Sequence, residues 1–167
     1  MKLVIIRHGP AGDREEWEAK GRDDRLRPLT AEGKKEMRRA AAGLARLVPA
    51  IDVLASSPWT RAFESAEIVA LEYRTKVVKL ETLIPEHQPD ELLPWLQEQL
   101  PAKTVGVVGH DPHLSTLVGY LLTGKAASFV ELKKGGACLI DFKNAPKPSG
   151  GTLEWLLSRR ELARLGD

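Results

Sequence analysis

The 167-residue chain is poor in features that define several classes of protein. Cys138 is its only cysteine, so an internal disulfide and a cysteine metal cluster are both excluded. No stretch approaches the roughly 20 apolar residues that a membrane-spanning helix requires. The apolar run at residues 3–6 is too short for a signal peptide. We therefore expect a cytoplasmic protein that does not associate with membranes.

The chain also lacks a large excess of charge of either sign. Its formal net charge is +2. Basic and acidic residues are mixed, as in segments 13–16 and 22–25, which is typical of a solvated face. Two basic pairs, Lys133-Lys134 and Arg159-Arg160, are not interleaved with aromatic residues. This pattern argues against a nucleic-acid partner.

Length and residue pattern predict a single domain of the α/β class that spans residues 1–167. A chain of this size, with 43% apolar residues, is long enough to bury a core. Strand and helix patterns alternate through residue 122. This alternation predicts three layers, α/β/α, around a mostly parallel sheet. The C-terminal strands are expected to complete an antiparallel edge of that sheet.

The predicted elements follow from hydrophobic runs and capping residues. Strands are expected over residues 2–6, 51–55, 76–80, 104–108, 128–132, 137–142 and 152–156. Helices are expected over about 31–48, 58–73, 90–100 and 113–122. Thr30 and Ser57 are predicted N-caps, with Pro58 at the first helical position. Segment 10–27 is polar and is expected to be a surface loop.

Basic and imidazole side chains follow three of the predicted strands. Arg7 and His8 follow the first strand, Arg61 lies near the helix start after the second, and His110 follows the fourth. Because open α/β sheets bind ligands at the carboxyl ends of their strands, we expect these side chains to converge. Guanidinium groups bind a phosphoryl group in bidentate fashion, and a neutral imidazole is a nucleophile toward phosphorus. A second imidazole, if cationic, would stabilise charge on the phosphoryl oxygens.

Three motifs in this order resemble the signature of the histidine phosphatase superfamily. They are Arg7-His8-Gly9, Ser57-Pro58-Trp59-Thr60-Arg61-Ala62 and Gly109-His110. Further stretches resemble the SixA-type phosphohistidine phosphatase branch of that superfamily, namely residues 27–30, 132–136 and 151–155. The resemblance extends over nearly the whole chain. It implies a phosphoglycerate mutase-like fold.

The resemblance also implies a role for each matching residue. His8 would be the residue that is phosphorylated in a covalent intermediate, and His110 would bind the transferred phosphoryl group. The residues implied to bind substrate belong to the same motifs: Arg7, Gly9, Ser57 and Arg61. No metal or other cofactor is expected.

The general acid that protonates the leaving group has three candidates. Members of the superfamily commonly use a Glu or an Asp. Glu86, which follows the third predicted strand, is the best positional match, and Glu81 is the second. Asp13 is the third, if segment 10–27 folds over the site.

The resemblance points to a metal-independent phosphatase that acts on phosphohistidine in a protein partner. The chain lacks the long insertion of the mutases, and an open pocket suits a folded protein substrate. Two alternatives stay open. One is a phosphatase of small phosphate esters or sugar phosphates, and the other is a non-catalytic module that binds phosphate or a phosphoprotein.

Overall fold

A computed structural model describes all residues from 1 to 167 and contains one six-stranded sheet. Its strands are β1 (Lys2–Arg7), β2 (Val53–Ser56), β3 (Val77–Lys79), β4 (Thr104–Gly109), β5 (Ala137–Phe142) and β6 (Gly151–Leu157). Their order is β3-β2-β4-β1-β5-β6. The first four strands pair in parallel, whereas β5 and β6 are antiparallel. The predicted α/β class and its antiparallel edge are confirmed.

Six α-helices surround the sheet. They are α1 (Arg14–Ala19), α2 (Ala31–Leu47), α3 (Thr60–Tyr73), α4 (Leu93–Glu98), α5 (His113–Thr123) and α6 (Arg159–Gly166). Single 3₁₀ turns lie at Asp24–Leu26, Glu81–Leu83 and Pro89–Leu92. None of the helices combines the length and the apolar character needed to cross a bilayer.

The side chains of the central strand alternate between two hydrophobic cores, as the two-residue period of a strand requires. Val4 and Ile6 of β1 pack with residues of α2, α3 and α6. Leu3 and Ile5 pack on the opposite face with residues of α4, α5 and the 3₁₀ turn Pro89–Leu92. One core joins the sheet to the helices on each of its faces, which gives the three layers, α/β/α, that the sequence predicts.

Several predicted elements differ from the structure. The strand at 128–132 does not form; the segment is irregular, only Leu132 of its five residues is buried, and the carbonyl oxygen of Leu132 accepts from Arg7 rather than from a strand. Segment 10–27 contains α1 and a 3₁₀ turn rather than only a loop. Helix α1 buries no residue and so carries no hydrophobic periodicity. Helix α6 was not predicted, although its Ser158–Glu161 capping box is a helix-start signal.

Two predicted helices are shorter than expected. The segment from Asp90 to about Leu100 divides into the 3₁₀ turn Pro89–Leu92 and α4. Helix α3 begins at Thr60, with Trp59 as its N-cap, two residues after the predicted start. Ser57 is therefore not the N-cap: its Oγ accepts from the N–H of Trp59 at 3.3 Å and also contacts a histidine at the edge of the sheet.

The packing of α6 on α2 gives a test of the fold. A Cβ atom at Gly43 would overlap the carbonyl oxygen of Leu162 in α6. We expect Gly43→Ala to lower the free energy of unfolding by about 1–2 kcal/mol, because overpacking outweighs the gain in helix propensity. Urea unfolding measures this change. Gly12→Ala is the control because its Cβ would meet no atom within 4 Å, and a stabilised Gly43→Ala protein would contradict this packing.

Candidate active site

Two histidines leave the same edge of the sheet from adjacent parallel strands. Arg7 of β1 lies opposite Gly109 of β4, so His8 and His110 are the next residues of the two strands. The backbone N–H of His8 donates to the carbonyl oxygen of Gly109 at 3.0 Å. The imidazole centroids are 5.2 Å apart, with 57° between the ring planes. The predicted convergence of these two residues is therefore present in the structure.

Hydrogen bonds fix the tautomer of His8. Its Nδ1 lies 2.7 Å from the carbonyl oxygen of Gly9. A carbonyl oxygen can only accept, so Nδ1 carries the proton. Nε2 accepts a hydrogen bond from Nε of Arg61 at 3.3 Å. The lone pair needed for nucleophilic attack is therefore on Nε2.

Burial holds both imidazoles neutral. Burial lowers the pKa of His8 to about 3. The hydrogen bond to Gly9 acts in the opposite direction, and the positive charge of Arg61 lowers the pKa further. Burial also lowers the pKa of His110 to about 2, and the neighbouring His8 and Arg61 lower it further. A neutral His8 suits a nucleophile. Burial likewise favours the neutral form of His110, whereas a phosphoryl dianion beside the ring would raise its pKa toward the cationic form considered from the sequence.

Asp24 holds the guanidinium of Arg61 against His8. Its carbonyl oxygen accepts from Nη1 of Arg61 at 2.8 Å, and its Oδ2 accepts from Nη2 at 3.2 Å. Oδ1 accepts from Nε of Arg27 at 2.7 Å. Burial opposes ionisation of Asp24, but these two arginines outweigh it and the pKa of the carboxyl is lowered. Sequence reasoning missed Asp24, because segment 22–25 has the mixed charge of a solvated face, and only the resemblance of residues 27–30 marked Arg27.

Arg7 is fixed from the opposite side. Its Nη1 donates to the carbonyl oxygen of Leu132 at 2.8 Å and lies 3.8 Å from Oδ2 of Asp111. Its Nε is buried without a hydrogen-bond partner, as is Nδ1 of His110. Buried polar groups without partners are costly unless a ligand satisfies them. Both atoms belong to the residues that the sequence assigned to phosphoryl binding.

Gly9 and Ser57 lie behind the residues that line the pocket, and their substrate-binding role stays a prediction. A Cβ atom at Gly9 would clash with Met37, so glycine allows α2 to pack beside the first motif. The Gly9 N–H donates to Oγ of Ser65 at 2.9 Å. Oγ of Ser57 lies 2.8 Å from Nε2 of His110. Each of these two residues positions a histidine.

A cavity of about 390 Å³ opens above the histidines and is predominantly cationic. Five basic side chains line it: Arg7, Arg14, Arg27, Arg61 and Lys134. Burial and the neighbouring Arg7 and Arg27 lower the pKa of Lys134. This crowding of positive charge suits an anionic ligand. Arg14 and Lys134 were not predicted from the sequence, and only the resemblance of residues 132–136 marked the second.

The structure separates the three candidates for the general acid. Glu86 lines the pocket and is exposed. Glu81 lines a neighbouring cavity, which it shares with Glu86. Asp13 caps α1, where its Oδ1 accepts from the Glu16 N–H at 2.9 Å. Of the three, Glu86 alone lies beside the histidines.

Comparisons with known proteins agree with this geometry. Residues 3–85 match the family model described as histidine phosphatase superfamily (branch 1). An uncharacterized protein of Picosynechococcus sp. (strain PCC 7002) is 31% identical over 139 residues, which cover 81% of this chain and 82% of that protein.

Solved structures with the same fold include two phosphatases. The protein histidine phosphatase SixA, in complex with tungstate, superposes with a TM-score of 0.82 at 25% identity, covering 97% of this chain and 99% of that one. A mutant phosphoserine phosphatase from Entamoeba histolytica, in complex with phosphoserine, has a TM-score of 0.72 at 19% identity, with 96% and 98% covered. The second likeness concerns the fold alone.

The lowered pKa values predict how stability depends on pH. Unfolded histidine binds a proton as the pH falls through about 6.5, whereas His8 stays neutral down to about 3. The unfolded state therefore binds more protons between these values, and the free energy of unfolding falls as the pH falls. We expect His8→Asn to weaken this dependence in urea unfolding between about pH 7 and 4.5. An unchanged slope would contradict a neutral, buried His8, and no difference in slope is expected at alkaline pH.

Proposed function

This chain belongs to the histidine phosphatase superfamily, in its SixA-type branch, and is a phosphatase; from that premise we propose that it hydrolyses phosphohistidine in a protein partner without a metal. The observation that carries the proposed mechanism is the state of His8. Its Nδ1–H donates to the carbonyl oxygen of Gly9, and its Nε2 lone pair, which accepts a hydrogen bond from Arg61, lies at the base of a cationic pocket. A nucleophile, its tautomer and the charge that attracts phosphate are therefore found together.

In the first step, Nε2 of His8 attacks the phosphorus atom of the substrate. The new N–P bond forms as the bond to the leaving nitrogen breaks, and the leaving imidazole keeps that electron pair and takes up a proton from solvent, either directly or through the exposed Glu86. Positive charge develops on the His8 ring, and the carbonyl oxygen of Gly9, 2.7 Å from Nδ1, stabilises it. Arg7 and Arg61 balance the charge on the phosphoryl oxygens.

In the second step, water attacks the phosphorus of the phosphorylated His8. The N–P bond breaks, its electron pair returns to Nε2, and inorganic phosphate leaves. The basic side chains around the pocket supply the positive charge that a metal ion provides in other phosphatases. His110 contributes a neutral hydrogen-bonding ring next to His8.

The position of Glu86 favours phosphohistidine over an alkyl phosphate ester. An alkoxide is a poor leaving group, so ester hydrolysis depends strongly on proton donation by a general acid that is held against the leaving oxygen. Glu86 is exposed. An imidazole leaves phosphorus with less help, and an exposed carboxyl is sufficient for it.

Hydrolysis of small phosphate esters is the second candidate. Glu86 lines the pocket, where it could protonate an alkoxide, and the fold is shared with a phosphoserine phosphatase. Side-by-side turnover of a phosphorylated histidine domain and a set of small phosphate esters tests the two substrates. A higher kcat/KM for the esters would overturn the proposal for phosphohistidine.

The covalent role of His8 is tested by trapping the intermediate. Brief incubation of the wild-type protein with a ³²P-labelled substrate is expected to leave acid-labile phosphate on His8. His8→Ala is expected to show no label and a loss of turnover of about 10³-fold or more. His87→Ala is the control, since His87 does not line the pocket. Surviving turnover in His8→Ala would rule out nucleophilic histidine, and loss of wild-type activity with EDTA would rule out a metal-independent reaction.

The role of Glu86 is tested by the choice of leaving group. We expect Glu86→Gln to slow hydrolysis of phosphoserine by about 10²-fold, the usual contribution of a general acid. Hydrolysis of a phosphohistidine peptide is expected to change by less than about 3-fold, because imidazole needs less protonation. Glu81→Gln is the matched control, because Glu81 lines only the neighbouring cavity. Equal losses for the two substrates would contradict this account of the acid.

A further inference from the structure

Two basic pairs that lie far apart in the sequence meet beside the active site. Nη1 of Arg159 donates to the carbonyl oxygen of Lys134 at 3.3 Å. Gly135 lies beneath this contact, and a Cβ atom there would be 3.1 Å from Cβ of Arg159. The start of α6 is therefore packed directly on the loop that carries Lys133 and Lys134.

This loop is attached to the catalytic strand end. The N–H of Gly135 donates to the carbonyl oxygens of Arg7 and His8, at 3.1 Å and 2.9 Å. Lys134 lines the pocket above His8. Positive charge thus continues from the pocket, across the loop, to α6. We call this the basic surface, and its members outside the pocket are Arg39, Lys133, Arg159, Arg160 and Arg164.

A cleft on the basic surface is lined almost entirely by arginines. Its volume is about 210 Å³, and its lining residues are Glu36, Arg39, Arg159, Arg160, Ala163 and Arg164. Arg159 pairs with Glu36 at 2.9 Å, and Arg39 pairs with Asp167 at 2.8 Å. Arg160 and Arg164 are exposed and form no ion pair. The cleft therefore has guanidinium groups available for carboxylates.

The composition of the cleft favours an acidic protein over a nucleic acid. Single-stranded nucleic acids are bound by aromatic platforms as well as by positive charge. The cleft has no aromatic residue, and Ala163 is its single apolar member. Guanidinium groups recognise carboxylates in bidentate geometry. A protein whose phosphohistidine enters the pocket must lay the surface around that residue against the pocket rim, of which the loop with Lys134 is one side.

We propose that the basic surface docks an acidic region next to the phosphohistidine of the protein substrate, a proposal that rests on the proposed function above. Docking of this kind increases the rate of encounter and the affinity without taking part in phosphoryl transfer. Its effect is therefore expected in kcat/KM for the protein substrate and in its dependence on salt, but not in kcat.

The test uses charge reversal at Arg160 and Arg164, which line the cleft of the basic surface but not the catalytic pocket. The variant R160E/R164E is compared with the wild type on phosphohistidine peptides flanked by glutamates or by glutamines, and on p-nitrophenyl phosphate. At about 0.05 M salt we expect kcat/KM for the glutamate-flanked peptide to fall by about 10-fold or more, with kcat unchanged. At about 0.5 M salt this difference should shrink to about 2-fold. Turnover of the glutamine-flanked peptide and of p-nitrophenyl phosphate should change little.

Two matched variants control for net charge and folding. K2E/K103E reverses two exposed charges at the starts of β1 and β4, at the opposite end of these strands from the active site, and should behave as the wild type. R160Q/R164Q removes the charges without reversing them and should give an intermediate loss. Thermal unfolding of each variant shows whether α6 remains folded.

Each remaining outcome bears on one proposal. If the wild type does not hydrolyse the phosphohistidine peptides but does hydrolyse esters, the proposed function and the docking surface both fail. If it hydrolyses them and the R160E/R164E variant matches it on the glutamate-flanked peptide, only the docking surface fails. If a single-stranded RNA binds through these arginines and flanking glutamates give no advantage, the surface is a nucleic-acid site and the proposal is wrong.

Discussion

The parallel pairing of β1 with β4 is the constraint on which the site depends. Arg7 pairs with Gly109, so the two strands end at the same position along the sheet. The hydrogen bond from the His8 N–H to the carbonyl oxygen of Gly109 fixes this register. A slip of one residue would turn one imidazole to the other face of the sheet, because side chains alternate along a strand. Two residues about a hundred positions apart become neighbours through backbone geometry alone, before any contact between their side chains.

Burial at this edge determines the chemistry of the two rings. His8 and His110 are only 6% and 2% exposed, so that a charged imidazole is disfavoured and both rings are neutral. The arginines needed to bind phosphate would be equally costly to bury without partners. Asp24 offsets the desolvation penalty of Arg61 by accepting two hydrogen bonds from its guanidinium group. A neutral nucleophile and a buried cation can therefore lie 3.3 Å apart, since the cation is balanced from the far side.

The sequence predicts the strand ends well because the signal there is local. An apolar run followed at once by Arg7 and His8 identifies both the strand and its exit. The partners of Arg61 could not be found in this way, since Asp24 lies in a charged segment that has the composition of solvated surface. Arg27, in the neighbouring turn, is only 9% exposed, and it is ordered by contacts to Asp24 and to the carbonyl oxygen of Gly12. Such ion pairs depend on the tertiary fold, and residue pattern does not report them.

The pocket has an internal side, which binds the phosphoryl group, and an external side, which faces the leaving group. The two sides differ in how much they contribute to the choice of substrate. On the internal side, Arg7, His8 and Arg61 are held by backbone or side-chain partners, and their geometry suits any phosphoryl group. On the external side, where a leaving group must lie, Glu86 is exposed and no buried acid is present among the lining residues that would favour an alkoxide. The internal side therefore cannot select a substrate. Glu86 bears on which leaving group is accepted, whereas discrimination among protein partners requires contacts beyond the pocket, and the positive charge along the Lys134 loop and α6 offers such contacts.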